Sequence, residues 1–334
     1  MAIDDELKAF MEEWQSPSPT IEVQTSGSTG KPKRIQVSKE RMWNSARITC
    51  DYLGLKKGDS ALLCMPLRYI AGKMMVIRSL YAGMELITRE PSGHPFANWH
   101  GNAPKFTAMI PMQVYNTLQV PEERELLERT EILIIGGGAI DESLECEIKT
   151  LPNRIYSTYG MTETLSHIAL RKLNGQDASA SYMPFPSVKI SLSKEETLVI
   201  DAPLVCEERL VTNDVASILP DGSFTIMGRR DNIINSGGIK IQIEDVERAL
   251  KPHFGNIAFA ISSIPDHKFG EVITLLIEPG ITKEAMDSAI ESLPKYWRPR
   301  VTINVDVIPM TGSGKIDRAG CRELACKLTI NNKP

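Results

Sequence analysis

Residues 25–33 read TSGSTGKPK: the hydroxyl side chains of Thr25, Ser26, Ser28 and Thr29 are interleaved with Gly27 and Gly30 and lead into Lys31 and Lys33. A loop of that composition can curl backbone N–H groups and hydroxyls around phosphate oxygens, and its lysines can offset their charge. It is not a Walker loop, because Pro32 follows Gly30–Lys31 where that motif needs a serine or threonine. The plainer alternative is a polar surface loop.

Other residue types suit a nucleotide. In YSTYGMTET, residues 156–164, Tyr159 offers a flat face to a purine and Gly160 leaves room beside it. The Thr162 hydroxyl can reach a phosphate or carboxylate oxygen, and Glu163 is a hard oxygen donor suited to Mg²⁺ beside phosphates. Glu163 alone could equally be a solvated glutamate. Gly137 and Gly138, followed by Ala139, end an apolar run and permit close backbone approach to a ring. Asp214 can accept two ribose hydroxyls at once, or serve a turn after Asn213. Arg229 has a rigid fork that could hold ribose or phosphate, or face solvent at a hairpin end. Lys315, in GSGKI, can reach an α-phosphate and an attacking carboxylate and stabilise the charge of a pentavalent centre; otherwise it is a lysine on a tail.

These residues must be positioned by an alternation of elements. The periodicity predicts a helix over residues 4–14, a strand at IEVQT, and a helix over 39–52 opened by Ser38 as a cap. Strands follow at SALLCMP, GMELITR, FTAMIP, ILIIGG and RIYSTYG, with a helix starting near Gly72. Apolar strands alternating with helices predict a large α/β domain with parallel pairing. After Gly175 the pattern turns to hairpins, with turns at residues 194–196 and at Asp221–Gly222, which predicts a β-rich subdomain. Residues 231–334 read as a separate, small α+β domain, so the boundary is expected at residues 230/231, before a glycine-rich hinge.

Composition bounds the partners. The 334 residues carry a net charge of −4, so no overall positive field draws nucleic acid or an acidic membrane. No run approaches the ~18 apolar residues of a membrane span, and the acidic, mixed start is unlike a signal peptide. Six scattered cysteines without a CxxC pair fit isolated reduced thiols in a cytoplasmic protein.

The segments above, in this order, resemble the adenylate-forming superfamily: acyl-CoA synthetases, peptide-synthetase adenylation domains and luciferases. The resemblance implies a phosphate loop at Thr25–Ser26–Gly27–Ser28–Thr29–Gly30 with Lys31 and Lys33, and adenine and ribose contacts from Gly137, Gly138, Ala139, Tyr159, Gly160, Asp214 and Arg229. It implies catalytic Lys315, Thr162 and Glu163, with Glu163 holding Mg²⁺, and a hinge at Asp231 with Gly237 and Gly238 lining a pantetheine tunnel after the C-terminal lid rotates. ATP, a carboxylic acid and coenzyme A are the implied reactants, with no nucleic-acid partner; monomer and homodimer both stay open. The chain begins almost at the phosphate loop, which implies a member shortened at its N-terminus.

Residues 65–87 and 108–118 are further similar to o-succinylbenzoate:CoA ligases of menaquinone synthesis. That similarity implies an acid pocket at Arg68, Tyr69, Gly72, Lys73 and Pro111, with Arg68 or Lys73 partnering a second carboxylate. In this sequence Arg68–Tyr69 replaces the aromatic–His pair usual there, so either the histidine's part is done differently or Tyr69 stands in for it. Another aryl- or acyl-CoA ligase, an enzyme loading a carrier-protein thiol, and an inactive nucleotide-binding regulator are the alternatives. Intact Lys315, Glu163 and Asp214 speak against the last.

Overall fold

In the computed structural model, which describes residues 2–24, 34–311 and 315–331, the apolar runs of the first half become one seven-stranded sheet. Its order is Glu85–Thr88, Ser60–Leu63, Phe106–Met109, Ile132–Ile135, Arg154–Gly160, His167–Lys172 and Met183–Pro184. The first five strands run parallel and the last two antiparallel. Ile132–Ile135 is buried at every position, because helices cover both faces. Strand alternation divides the packing: Leu63, Phe106, Ala108, Ile132 and Ile134 join one buried cluster, and Leu62, Met109, Leu133, Ile135 and Ile155 join another.

The first face is covered by helices Lys39–Leu53 and Ile70–Ala82 through Met42, Ala46, Met74 and Ile77. As the sequence implies, the Ser38 side chain caps the former by accepting from the Arg41 N–H, and Gly54 closes it at φ +73°. Helix Ile70–Ala82 starts ahead of Gly72. A Cβ on Gly72 would lie 2.4 Å from the Pro66 carbonyl oxygen, so that glycine lets the helix start pack on the preceding loop. Helices Pro111–Leu118, Pro121–Arg129 and Glu142–Ile148 cover the other face.

The β-rich region is an antiparallel sheet of Lys189–Leu192, Thr197–Asp201, Leu210–Ile218 and Phe224–Arg229. Its turns fall where the sequence places them, with Glu196 and Gly222 at positive φ. The remaining residues build a five-stranded sheet in which Val301–Asn304 pairs parallel to Gly270–Ile277, flanked by helices Ile243–Phe254, Lys283–Ser292 and Arg318–Asn331. The protein is thus a large α/β domain with a β-rich subdomain, followed by a smaller α+β domain. Two of the buried clusters end by Phe224 and the other two begin at Ile234 and at Ala260, and residues 230/231 lie in the 3₁₀ turn Arg230–Asn232 between them.

The glycine-rich stretch differs from the hinge its composition suggests. Ile233–Ser236 and Ile239–Gln242 pair in full register, and Gly237 and Gly238 close the hairpin at φ +60° and +82°. Two consecutive positive φ angles are what a two-residue hairpin turn demands. Among the described residues every cysteine is free, Cys146 is exposed, and no helix is long and apolar enough to cross a membrane.

Candidate active site

Asp214 lies opposite Arg229 in the register of strands Leu210–Ile218 and Phe224–Arg229, so their side chains share one face. The Tyr159 hydroxyl, from the end of strand Arg154–Gly160, donates to Asp214 Oδ2 at 2.5 Å. Arg229 Nη1 stands 3.5 Å from Asp214 Oδ1, and its Nη2 reaches Asp231 Oδ2 at 2.8 Å. Asn213 Nδ2 donates to that same Asp231 oxygen at 3.2 Å. Burial, reinforced by the Asp214 charge, holds the Tyr159 hydroxyl far above the usual phenol range, so it stays a donor. Burial works against the Arg229 charge, but Asp231 and Asp214 outweigh it and raise its pKa.

Lys315 is brought to this pair. Burial and the Arg229 charge push its pKa below the ordinary lysine value, with Asp214 opposing. Its backbone is fixed by a reciprocal pair: Thr311 N–H donates to the Lys315 carbonyl at 2.7 Å, and Lys315 N–H donates to Thr311 Oγ1 at 3.1 Å. Arg318, three residues on, forms a two-pronged pair with Glu247 at 2.6 and 2.7 Å, pinning the following helix to Ile243–Phe254. Tyr159, Asp214 and Arg229, far apart in sequence, therefore form one cluster, and Lys315 lies within electrostatic reach of Asp214 and Arg229.

Gly137, at φ +81°, turns the chain at the carboxyl end of strand Ile132–Ile135. Hypothetical Cβ atoms on Gly137 and Gly138 would meet Ile110 Cγ2 at 3.2 Å and Pro111 Cγ at 3.7 Å. The loop with Ala139 and the expected pocket residue Pro111 are thus neighbours. Gly160 is needed by its packing: a Cβ there would fall 2.2 Å from the Ser166 carbonyl oxygen.

Thr162 and Glu163 open the 3₁₀ turn Thr162–Thr164, and Leu165 leaves it at φ +65°, a costly backbone for a branched residue. Glu163 is exposed and, with Thr162, Ser38, Arg41 and Glu207, lines a cleft of about 260 Å³. Among the described residues no group of three or more metal-ligating side chains is present. A single carboxylate suits Mg²⁺, which takes one or two protein oxygens and draws the rest from phosphates and water.

Of the expected acid-pocket residues, Arg68 is exposed and lies 4.9 Å above the Tyr69 ring. Lys73 is buried and committed elsewhere: its Nζ donates to the Glu22 carbonyl at 2.9 Å and to Glu13 Oε2 at 3.4 Å, 5.0 Å over the Phe10 ring. It ties the first helix and strand to helix Ile70–Ala82, leaving no charge spare for a substrate. Residues 25–33 and 312–314 lie outside the described residues, so Thr25, Ser26, Gly27, Ser28, Thr29, Gly30, Lys31 and Lys33 are not placed. The flanking strands Thr20–Gln24 and Arg34–Ser38 pair in register down to Gln24–Arg34, and Gln24 also bridges to Tyr69.

The sequence reading passed over Arg78. It is fully buried in helix Ile70–Ala82, and its Nη2 donates to Ser166 Oγ at 2.5 Å. Its Nε has no partner among the described residues, and no ion pair with a described carboxylate offsets its charge. Burial pushes its pKa down to about 10. The available signal was its place inside MMVIRSLYA, an arginine in an otherwise apolar helix.

The fold and this cluster define an adenylate-forming enzyme. The family model for AMP-binding enzymes matches residues 11–203, and the chain belongs to that family. It is 26% identical over 96% of its length to the 2-succinylbenzoate–CoA ligase of Listeria monocytogenes serotype 4b (strain F2365), covering 73% of that protein. It is 27% identical to the ligase of the same name from Geobacillus sp. (strain WCH70), over 97% of this chain and 72% of that one. Among solved structures, an acyl-CoA synthetase (AMP-forming)/AMP-acid ligase II-like protein from Dyadobacter fermentans DSM 18053 is 31% identical, with TM-score 0.64, over 94% of this chain and 91% of that one. The Bacillus subtilis O-succinylbenzoate coenzyme A synthetase, solved with ATP and magnesium ion, shares the fold with TM-score 0.73 at 23% identity, over 89% and 68% of the two chains.

Proposed function

We propose that this protein joins 2-succinylbenzoate to coenzyme A at the expense of ATP, through an acyl-adenylate, in menaquinone synthesis in the cytoplasm. The observation that supports the chemistry is the Asp214 carboxylate held between Tyr159 and Arg229, with Lys315 in electrostatic reach of that pair. Asp214 takes the ribose hydroxyls, and Tyr159 with Gly137, Gly138 and Ala139 receives the adenine. A carboxylate oxygen of the acid attacks the α-phosphorus, the bond to the β-phosphate breaks, and pyrophosphate leaves. Lys315 stabilises the charge that gathers on the α-phosphate oxygens. Thr162 orients a phosphate or carboxylate oxygen, and the segment of residues 25–33 receives the leaving phosphates. Glu163 would hold Mg²⁺, which offsets phosphate charge when bound. The sulfur of coenzyme A then attacks the acyl carbon, the bond to AMP breaks, and the thiol proton passes to solvent.

One lysine serves adenylation, and the thiol needs the same space. We therefore place the domain boundary at residues 230/231, with residues 231–334 turning about Asp231 so that Gly237 and Gly238 flank the thiol. The relatives' names supply the acid, and Arg78 supports it. A dicarboxylic acid must keep its second carboxylate away from the phosphates, and that buried anion needs a cation not already paired with a carboxylate. Arg78 meets this requirement, whereas Lys73 is already engaged.

Pyrophosphate release tests the reading with 2-succinylbenzoate, benzoate, phenylacetate, hexanoate and palmitate, each with and without coenzyme A. Preference for 2-succinylbenzoate with release of its coenzyme A thioester is expected. Preference for a simple mono-acid would remove the substrate and leave adenylation standing. Acid-dependent AMP without a coenzyme A thioester would redirect the second step to a carrier-protein thiol.

A further inference from the structure

Behind Arg78 runs a line of four polar groups through the apolar core between helices Lys39–Leu53 and Ile70–Ala82 and strand His167–Lys172. Arg78 Nη2 lies 2.5 Å from Ser166 Oγ, Ser166 Oγ 3.2 Å from His167 Nδ1, and His167 Nε2 3.1 Å from Thr49 Oγ1. Thr49 Oγ1 ends the line by donating to the Ser45 carbonyl at 3.1 Å. Thr49, Arg78 and His167 are buried. The direction of every proton follows from valence. A carbonyl can only accept, so Thr49 Oγ1 gives its one hydrogen to Ser45 and accepts from His167 Nε2–H; Ser166 Oγ, which accepts from the donor-only guanidinium of Arg78, has its hydrogen available for the other ring nitrogen, Nδ1. Nδ1 is therefore bare. Burial and the Arg78 charge keep the imidazole neutral, so its hydrogen sits on Nε2 and points to Thr49. Thr49 accepts it and spends its own hydrogen on Ser45.

The other tautomer breaks this order. An Nδ1–H would leave the Ser166 hydrogen without an acceptor in this line, and the bare Nε2 would draw the Thr49 hydrogen away from the Ser45 carbonyl. The half-buried Ser166 hydroxyl, the group that fixes the arginine, would then have no inward acceptor. Ser166 also follows the Thr162–Thr164 turn directly, and Thr164 Oγ1 donates to its carbonyl at 2.7 Å.

We infer that Thr49 and His167 are positioning residues that set the affinity for the acid: Thr49 locks the Nε2–H tautomer of His167, which orders the Ser166 hydroxyl and so aims Arg78 at the acid. This rests on the reading of Arg78 as the partner of the acid's second carboxylate, and it adds residues that touch no substrate.

The test uses the full chain and the variants Thr49→Val, which keeps the shape and removes the acceptor, and Thr49→Ser, which restores it. Imidazole ¹⁵N–¹H correlation spectra should show His167 protonated at Nε2 in the parent and in Thr49→Ser, and a changed pattern in Thr49→Val. The KM for 2-succinylbenzoate in pyrophosphate release should rise about five- to tenfold in Thr49→Val, with the KM for ATP within about twofold and Thr49→Ser near the parent. A purely structural role would move both KM values and the melting temperature together, or not separate Ser from Val; either result overturns the inference, as does an Nδ1–H tautomer in the parent. If the parent turns over only a monocarboxylic acid, the substrate reading fails on the parent's data alone. The positioning inference then falls with it, having no second carboxylate to act on; if the parent instead prefers 2-succinylbenzoate and Thr49→Val leaves that KM unchanged, the positioning inference alone falls.

Discussion

The Tyr159 hydroxyl donates to Asp214 Oδ2 at 2.5 Å, and Arg229 approaches the other oxygen of that carboxylate at 3.5 Å. The ring that would receive adenine thus also orients the acid that would receive ribose. Tyr159→Phe keeps the ring and removes the donor. It should raise the KM for ATP several-fold while leaving the KM for the acid nearly unchanged, and lower stability by about 1 kcal/mol. Urea titration and steady-state pyrophosphate release measure the two effects. An unchanged urea midpoint together with an unchanged ATP KM would show that Asp214 does not depend on Tyr159.

Lys315 must be protonated to stabilise phosphate charge, yet burial and Arg229 push its pKa below the lysine value of 10.5. Activity is therefore present at lower pH and lost as pH rises through the depressed value. The alkaline arm of the adenylation rate should bend below pH 10.5, and in Lys315→Arg it should move upward, because a guanidinium does not deprotonate there. Lys315→Ala should cost adenylation ~3 kcal/mol, about a hundredfold, and spare thiol transfer from a supplied acyl-adenylate. Equal loss in both half-reactions would contradict the assignment.

The segment joining the two domains has one exposed basic residue, Arg230, beside an ordered hairpin. Gln242, at the end of that hairpin, donates to the Arg229 carbonyl at 2.9 Å, and a Cβ on Gly228 would lie 2.5 Å from its amide nitrogen. Trypsin should cut the free protein after Arg230, not within residues 233–242, and ATP with the acid should slow the cut. Gly228→Ala should displace Gln242 and speed cleavage. Cutting inside the hairpin instead would return the hinge to the glycines.

Much of the fold was legible because periodicity and turn chemistry agreed locally. ILII at 132–135 reads as a buried strand, Ser38 as a cap, and Asp221–Gly222 as a turn, and each is found so. Gly237 and Gly238 were harder, since two adjacent glycines fit a tight hairpin as well as a flexible linker. Asp214, Arg229 and Lys315 could be suspected singly, but their meeting depends on a strand register and on domain packing that no local pattern encodes. Lys73 misled for the same reason: its charge is visible in sequence, while its engagement by Glu13 and the Glu22 carbonyl is a tertiary fact.

His167 is buried neutral beside Arg78, so its folded pKa lies well below the ordinary 6.5. The unfolded chain then binds a proton that the folded chain refuses. Stability is therefore fully present above about pH 6.5 and falls as pH drops below it, by up to ~1.4 kcal/mol per pH unit. Melting temperature against pH should show this acid slope in the parent and a shallower one in His167→Gln, which cannot titrate. Parallel slopes in the two proteins would assign the acid sensitivity to other groups.

The proposed second carboxylate has two candidate arginine partners. Arg68 is exposed on the Tyr69 ring, where solvent already meets its charge and a carboxylate gains little by joining it. Arg78 is buried with Nε unpartnered, so a carboxylate placed against it removes a standing desolvation cost as well as forming a charged hydrogen bond. Arg78→Met fills similar volume without the charge. It should raise the KM for 2-succinylbenzoate by about a hundredfold or more, in line with ~3 kcal/mol for an uncompensated buried charge, and should not impair turnover of benzoate to the same degree. Folding should be retained or improved, because the replaced cation has no described carboxylate to leave behind, and thermal melting checks this. Arg68→Ala should change the KM for the dicarboxylic acid by no more than about threefold. If the two variants exchanged these effects, the second carboxylate would belong at the exposed Arg68–Tyr69 pair and Arg78 would be a core cation of another purpose.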